Sequence, residues 1–243
     1  MKSLLRTATT AGILVGLAGY GATASAQTPP LTVQTGPDAE ISVDGLHRVD
    51  NSVLDLVYVK PELKLQGYTN VIIGEIRVAY RKDPEGRRVG NPGGMPEEAN
   101  FALSRSQMDV LKSLFQEAVV KELTKDDGYE IVDAPGPDVL RVSAYLVDLV
   151  VRVPTEKTAG RQYTRARSYG EVTLVLELHD SESEEILGRV ADRRDPTRNT
   201  DNSLAIVSPT YVKADVERLF EYWANVLREG LDRVRELDPA MRQ

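Results

Sequence analysis

The stretch from Val139 to Val153, VLRVSAYLVDLVVRV, is the longest strand signal in the sequence. Its strongly polar members are only Arg141, Ser143, Asp148 and Arg152, and it contains no glycine or proline. Valine, leucine and tyrosine at this density are typical of a strand that packs in a sheet. We therefore expect a long strand here, and the segments around it decide which kind of sheet it joins.

Further strands are expected on both sides of this segment. Residues 168–180 alternate between apolar and polar side chains, which is the pattern of a half-buried antiparallel strand. An acidic turn follows, and residues 186–194 then return as the second strand of a hairpin. Upstream, shorter strand signals cover 53–59, 69–80 and 129–133.

Two helices interrupt these strands. Ser104 and Gln107 form an S-x-x-Q capping box at the start of an amphipathic segment, which Gly128 is well placed to end. Pro209 stands at the start of a longer helix, whose apolar stripe includes Trp223 and is expected in the core. The order β-β-α-β-β-β-β-α predicts an α+β domain, with an antiparallel sheet of about five to six strands and two long helices packed on one face.

Composition excludes several classes of function. The 243 residues carry 37 acidic and 30 basic side chains, and a net charge of −7 argues against nucleic acid as a partner. The chain has no cysteine, so thiol nucleophiles, thiolate metal sites and disulfides are excluded, and its two histidines, His47 and His179, are too few for a His-rich metal site. Known nucleophile motifs and glycine-rich phosphate loops are missing as well. We therefore expect a protein that is not an enzyme, with no catalytic residues, no cofactor and no metal.

The first 26 residues have the layout of a secretory signal, with Lys2 and Arg6, a short apolar run and a small-residue cleavage site ending at Ala26. The apolar run is about half of the roughly 20 residues that a membrane-spanning helix needs, so cleavage is favoured over anchoring. A bacterial lipoprotein needs a cysteine at its cleavage site, and this chain has none. These features predict an exported periplasmic protein without a transmembrane or lipid anchor.

The rest of the chain is expected to form one domain. Residues 27–44 are rich in proline, threonine, glycine and acidic residues, and they predict a flexible leader that extends over 27–52. A single α+β envelope domain is then expected over 53–238, followed by a short tail at 239–243.

A basic segment lies between two of the predicted strands and mixes cations with an aromatic residue. Such a mixture suits the docking of an anion, such as lipopolysaccharide, a phosphate or an acidic protein face. The plainer interpretation is an exposed loop between strands, which is the commoner case. The residues concerned are Lys157, Arg161, Tyr163, Arg165 and Arg167.

Charged residues on the predicted strands are a second candidate. Arg141, Asp148 and His179 can line a cleft that binds a small molecule or supports hydrolysis. More often such residues form cross-strand ion pairs on the open face of a sheet, and the same holds for the charges at 192–194. His179 is also followed by an acidic hairpin tip, 180–185. The tip lacks the fixed ligand positions of a calcium-binding loop, so a solvated tip is favoured over a metal site.

Three stretches are distinctive as a set: YVKP at 58–61 with the strand at 68–78, IVDAPGPDVLRV at 131–142, and 171–177 with GRVADRR at 188–194. Together they resemble the Gram-negative envelope family called domain of unknown function 3313, and P-G-P-x-V-L-R and A-D-R-R are the most specific motifs. The resemblance implies a secreted, often lipid-anchored protein without established catalytic residues. The missing cysteine departs from the lipoprotein pattern and favours a free periplasmic protein.

These observations predict a non-catalytic protein that binds another envelope protein or an anionic envelope component, with the basic segment as the contact region. The alternative is a periplasmic small-molecule binder or an uncharacterised hydrolase that uses a cleft near Arg141, Asp148 and His179. The sequence predicts neither the identity of the partner nor the oligomeric state.

Overall fold

The computed structural model describes residues 30–90, 100–153, 164–197 and 205–236. Ten strands and two helices lie within these ranges. In chain order they are β1 (Thr32–Val33), β2 (His47–Asp50), β3 (Leu56–Val59), β4 (Asn70–Tyr80), α1 (Arg105–Thr124), β5 (Glu130–Ile131), β6 (Val139–Val151), β7 (Thr164–Ala166), β8 (Gly170–Asp180), β9 (Ile186–Arg194), β10 (Ala205–Val207) and α2 (Pro209–Glu236).

Eight of the strands form one mixed sheet in the order β1-β2-β3-β9-β8-β6-β4-β5. Strand β4 runs parallel to both of its neighbours, β5 and β6, and the other pairs in this sheet are antiparallel. Strands β7 and β10 pair separately as a small antiparallel ribbon. The long strands β6, β8 and β9 therefore lie side by side in the middle of the large sheet.

The expectation of an antiparallel sheet of five to six strands, with two long helices packed on one face, is wrong. The sheet has eight strands and is mixed. The physical reason lies in the segment from β4 through α1 to β5, because a helix between two strands returns the chain to the end from which it started. The next strand, β5, therefore runs parallel to β4.

The described part of the predicted leader, 27–52, contains two of these strands. From Leu31 onward the chain belongs to the same compact unit as the rest of the domain. Strand β2 extends the sheet by pairing with β3, and β1 in turn pairs with β2. Leu46 and Val49 are buried at 1% and 5% exposure, so apolar burial fixes a segment whose overall composition is polar.

Strand alternation gives the central sheet an apolar face and a polar face. The buried side chains of β6 and β8 belong to the same core as Phe115 of α1 and Trp223 of α2. Residues between them in the sequence, such as Arg141 and His179, project to the opposite face. The buried members of the two strands include Leu140, Val142, Ala144, Leu146, Val172, Leu174 and Leu176.

The helices begin where their capping residues predict. The N–H of Gln107 donates to Ser104 Oγ at 3.2 Å, and the N–H of Ser104 donates to Gln107 Oε1 at 2.8 Å, which confirms the capping box. Helix α1 ends at Thr124, four residues before Gly128, so the expected end was too late. Between the helices, the rings of Phe115 and Phe220 meet edge to face with centroids 5.4 Å apart.

Neither helix among the described residues is long and apolar enough to cross a membrane.

Candidate functional site

A shallow cleft of about 440 Å³ opens on the polar face of the sheet. It lies where β4, β6 and β8 run side by side and where the turn after β5 approaches them. Alternation along the strands supplies its polar side chains, since every second residue of β6 and β8 projects to this face. Its lining residues include Glu75, Asp133, Arg141, Tyr145, Glu177, His179 and Glu184.

A close approach between two strands shapes this cleft. A Cβ atom on Gly74 would lie 2.4 Å from the Oγ atom of Ser143 and 3.3 Å from the carbonyl oxygen of Val142. A larger residue at position 74 therefore requires the Ser143 side chain to move aside. Gly74 and Ser143 both line the cleft, so the small residue lets the hydroxyl lie beside the backbone of β4.

The charged groups of the cleft are joined in ion pairs. Arg141 Nη1 donates to Glu184 Oε2 at 2.7 Å, across from β6 to the hairpin tip. Glu177 accepts from Arg189 Nε at 2.9 Å and from the Tyr145 hydroxyl at 3.5 Å. Burial opposes the charge of Arg189, but hydrogen bonds to Asp44 and Glu177 leave its pKa raised. The cleft is thus lined by compensated charges.

His179 joins the two ion pairs. Its Nδ1 atom donates to the backbone carbonyl of Glu184 at 3.1 Å, and its Nε2 atom lies 3.5 Å from Glu177 Oε2. Arg141 is its direct cross-strand partner in β6. Among the described residues no hydrogen bond joins His179 to the Ser143 hydroxyl.

The structure brings together two of the three residues expected to form a cleft. Arg141 and His179 both line it, and Asp148 does not. Asp148 lies where the pairing of β6 with β8 shifts between Val147 and Val150, and its φ of 52° is left-handed. The residue is exposed at this bulge, so the strand irregularity removes it from the site.

The acidic tip of the β8–β9 hairpin is organised by Asp180. Its Oδ1 atom accepts from the backbone N–H of Ser183 at 2.7 Å, and its Oδ2 atom accepts from the Tyr68 hydroxyl at 2.7 Å. Hydrogen bonds from Ser183 and Tyr68 lower the pKa of Asp180 to about 2. Burial and the bond to Asp180 raise the pKa of Tyr68 to about 12. Over the described ranges no three His, Asp or Glu residues are arranged to hold a metal ion.

The sequence analysis missed an arginine cluster at the other end of the sheet. Glu171, at the start of β8, accepts from Arg81 at 2.7 Å, from Arg152 at 2.6 Å and from Arg193 at 2.7 Å. Arg81 follows β4, Arg152 follows β6, and Arg193 lies near the end of β9. Only the pairing of these strands brings the three arginines together. Three guanidinium groups thus meet at one carboxylate. No motif in the sequence signals it.

The basic segment is largely outside the described residues. Lys157, Arg161 and Tyr163 all fall there. Arg165 is in β7, where it pairs with Ile206 of β10, and Arg167 is exposed just before β8. The role expected for this segment stays a prediction.

The charges at 192–194 divide between two environments. An ion pair on the open face of the sheet was expected here, but Asp192 is buried at 1% exposure. Its Oδ2 atom accepts from Trp223 Nε1 at 2.7 Å and from Arg194 Nε at 2.7 Å. Hydrogen bonding to Asp192 raises the pKa of Arg194. The A-D-R-R motif thus has a structural role for its aspartate, while Arg193 belongs to the arginine cluster.

Comparison with solved structures gives distant similarities. The PelC dodecamer from Paraburkholderia phytofirmans is 10% identical, over 71% of this chain and 94% of that chain, with a TM-score of 0.33. Protein XCC0632 from Xanthomonas campestris is 12% identical, over 72% and 89%, with a TM-score of 0.38. A homologue of neuraminyllactose-binding hemagglutinin from Helicobacter pylori is 12% identical, over 74% and 87%, with a TM-score of 0.29. At these scores none of the three carries an inference about function.

No curated protein matches the sequence significantly. The model of one protein family, described as a protein of unknown function (DUF3313), matches residues 42–227. This match begins before β2 and ends within α2, so it includes every strand of the large sheet except β1, together with the cleft and the arginine cluster. The chain therefore belongs to the DUF3313 family.

Proposed function

We propose that this protein is an exported, non-catalytic module of the cell envelope that binds an anionic envelope component or an acidic face of an envelope protein. The arginine cluster is the observation that carries this proposal. Three guanidinium groups share Glu171, and their side chains keep 24%, 21% and 46% exposure for Arg81, Arg152 and Arg193. Guanidinium groups bind carboxylates and phosphates through paired N–H donors, which suits an anionic partner.

The position of the cluster adds a second reason. The segment between β6 and β8 leaves the sheet just after Arg152 and returns just before Glu171, so its two ends flank the cluster. That segment contains Lys157, Arg161 and Arg165. Its cations and the arginine cluster can therefore act on the same partner, and the overall charge of −7 makes this basic end distinct from the rest of the chain.

Export rests on the amino-terminal sequence. Residues 1–26 have the charged start, short apolar run and small-residue cleavage site of a secretory signal. We propose that cleavage after Ala26 releases the domain into the periplasm, where envelope proteins and anionic glycolipids are accessible partners.

The proposal is tested by photo-cross-linking in intact cells. A photo-reactive amino acid replaces Arg167 in one variant and Glu217, a residue of α2 whose side chain is 40% exposed, in the control. We expect a reproducible envelope product from position 167 only, and its loss when Arg193, the most exposed arginine of the cluster, is changed to glutamate. A product that survives this reversal, or the same products from both positions, contradicts the proposal.

A small-molecule binder is the second candidate, because the cleft brings Arg141 and His179 together in a volume of about 440 Å³. Glu184→Gln and Arg141→Gln both break the ion pair between these two residues. If the cleft holds a small polar ligand, we expect that ligand to raise the melting temperature of the wild-type protein. The same ligand should leave the melting temperature of Arg141→Gln unchanged. A hydrolase is less well supported, because Asp148 lies away from the cleft and His179 lacks a hydroxyl partner among the described residues.

A further inference from the structure

The outer edge of β4 is an unusually long open strand edge. On one side β4 pairs with β6 from Asn70 to Tyr80. On the other side β5 pairs only with Asn70 and Val71. Within the part of the chain that the structure describes, no strand pairs with the outer edge over residues 72–80, so backbone N–H and C=O groups face outward along most of β4.

Such an edge is a template for another strand. The opposite edge of the same sheet is formed by β1, which has two residues and offers little to pair with. Strand β4 has eleven residues, and Ile73, Ile76, Val78 and Tyr80 pack against the core. The residues on its other face include Glu75 and Arg77, whose side chains are 53% and 63% exposed.

The charge order along this edge is self-complementary. In an antiparallel pair of two identical strands, a register centred on Ile76 sets Glu75 opposite Arg77 of the second copy. The same register sets Arg77 opposite Glu75 of the second copy, so two attractive cross-strand pairs form at once.

We propose that two copies of this chain pair antiparallel along β4, about a two-fold axis at Ile76, and that their sheets become continuous. A two-fold contact requires one patch to complement itself, and opposite charges on either side of the central residue fulfil this requirement. A strand of a different protein would have no reason to match Glu75 and Arg77 in this order. The second copy is therefore the occupant that the charge pattern favours.

Charge reversal tests this dimer. The full exported chain is purified after signal cleavage, and its mass is measured by sedimentation equilibrium over a range of concentrations. We expect a dimer whose dissociation constant rises by about tenfold or more in Glu75→Arg and in Arg77→Glu, because each change creates two like-charge contacts. The double variant, Glu75→Arg with Arg77→Glu, exchanges the charges and is expected to dimerise as the wild type does.

A matched control separates this effect from a general change of surface charge. Glu217→Arg breaks the exposed pair between Lys213 and Glu217 on α2, which are 2.8 Å apart, and is expected to leave the dimer unchanged. Far-UV circular dichroism verifies that each variant is folded. A wild-type chain that is monomeric up to about 1 mM overturns the proposal, as does a dimer that the single reversals leave intact or that the double variant fails to restore.

Discussion

Asp192 is the one charged residue among the described residues that is buried. It accepts hydrogen bonds from Trp223 Nε1 and Arg194 Nε, both at 2.7 Å, and from the backbone N–H of Asp55 at 3.2 Å. Asp192→Ala leaves the indole N–H buried without an acceptor. We expect the free energy of unfolding to fall by about 3 kcal/mol, measured by urea denaturation.

An exposed acidic residue provides the control for this change. Glu217 forms only a surface ion pair with Lys213, so Glu217→Ala is expected to change the free energy of unfolding by less than about 0.5 kcal/mol. If Asp192→Ala costs as little as Glu217→Ala, then the buried hydrogen bonds do not hold α2 against β9. The A-D-R-R motif would then need another explanation.

Asp180 predicts a pH dependence of stability. Its pKa is lowered from 3.8 to about 2, mainly by hydrogen bonds from Ser183 and Tyr68. The lowered pKa means that its contribution to stability is fully present above pH 3.8 and is lost as pH falls towards 2. We expect Asp180→Asn to flatten the fall in melting temperature between pH 4 and pH 2, measured by circular dichroism, whereas Glu182→Gln at the same hairpin tip should leave that fall unchanged.

At the scale of elements, α2 caps the end of α1. Arg228 Nη1 donates to the carbonyl oxygens of Leu123 at 2.8 Å and Lys125 at 3.0 Å. Gly128 permits this approach, because a Cβ atom there would lie 2.0 Å from Arg228 Nη1 and 2.2 Å from the Leu123 oxygen. We expect Gly128→Ala to lower the free energy of unfolding by about 2 kcal/mol or more, because the Leu123 carbonyl oxygen belongs to the backbone and cannot move aside as a side chain can.

A second glycine is the matched control for this effect. Gly230 lies inside α2, and a Cβ atom there would meet nothing within 4 Å. Gly230→Ala should therefore raise the free energy of unfolding by about 0.5–1 kcal/mol, through the better helix propensity of alanine. Chemical denaturation of both variants gives changes of opposite sign if the contact explains position 128. A loss at both positions would point to a general intolerance of alanine.

The elements could be predicted where a local pattern decides them. The alternation in 168–180 and the acidic turn after it gave β8 and β9 nearly to the residue, since β9 has the expected bounds, 186–194. The direction of β5 could not be predicted in this way, because it depends on where α1 returns the chain. Strands β1 and β2 were missed because each has at most four residues, too few for a sequence pattern. Pairing of β2 with β3, and of β1 with β2, places them in the sheet.

For the candidate sites, too, local sequence patterns predict some residues and only the strand pairing reveals the others. Arg141 and His179 were expected to lie together, and they do, because both are on long regular strands whose alternation could be predicted. Asp148 was expected with them and lies elsewhere, because no sequence pattern reveals the bulge that turns it away. Glu171 and its arginines come from four separate segments, so the arginine cluster becomes visible only once the strands are paired.

At the scale of the whole molecule, the amino-terminal segment closes one side of the sheet. Residues 31–50 contain β1 and β2, and they bury Leu46 and Val49 against the domain. Arg189, beside the cleft, also hydrogen-bonds to Asp44 of this segment at 2.5 Å. The segment is therefore a part of the domain that stabilises both the edge of β3 and one side of the cleft.

Truncation tests this role of the segment. We expect a chain that begins at Asn51 to lose roughly 3–5 kcal/mol in the free energy of unfolding, because two buried apolar side chains and the strand that covers β3 are removed. The exposed edge of β3 should also make this variant more prone to aggregate, as measured by light scattering during a thermal ramp. A chain that begins at Leu31 keeps β1 and β2 and serves as the control, and it is expected to be as stable as the full-length chain. Equal unfolding midpoints for the two truncations would mean that the segment lies on the sheet without stabilising it, and that the pairing of β2 with β3 contributes nothing measurable to the fold.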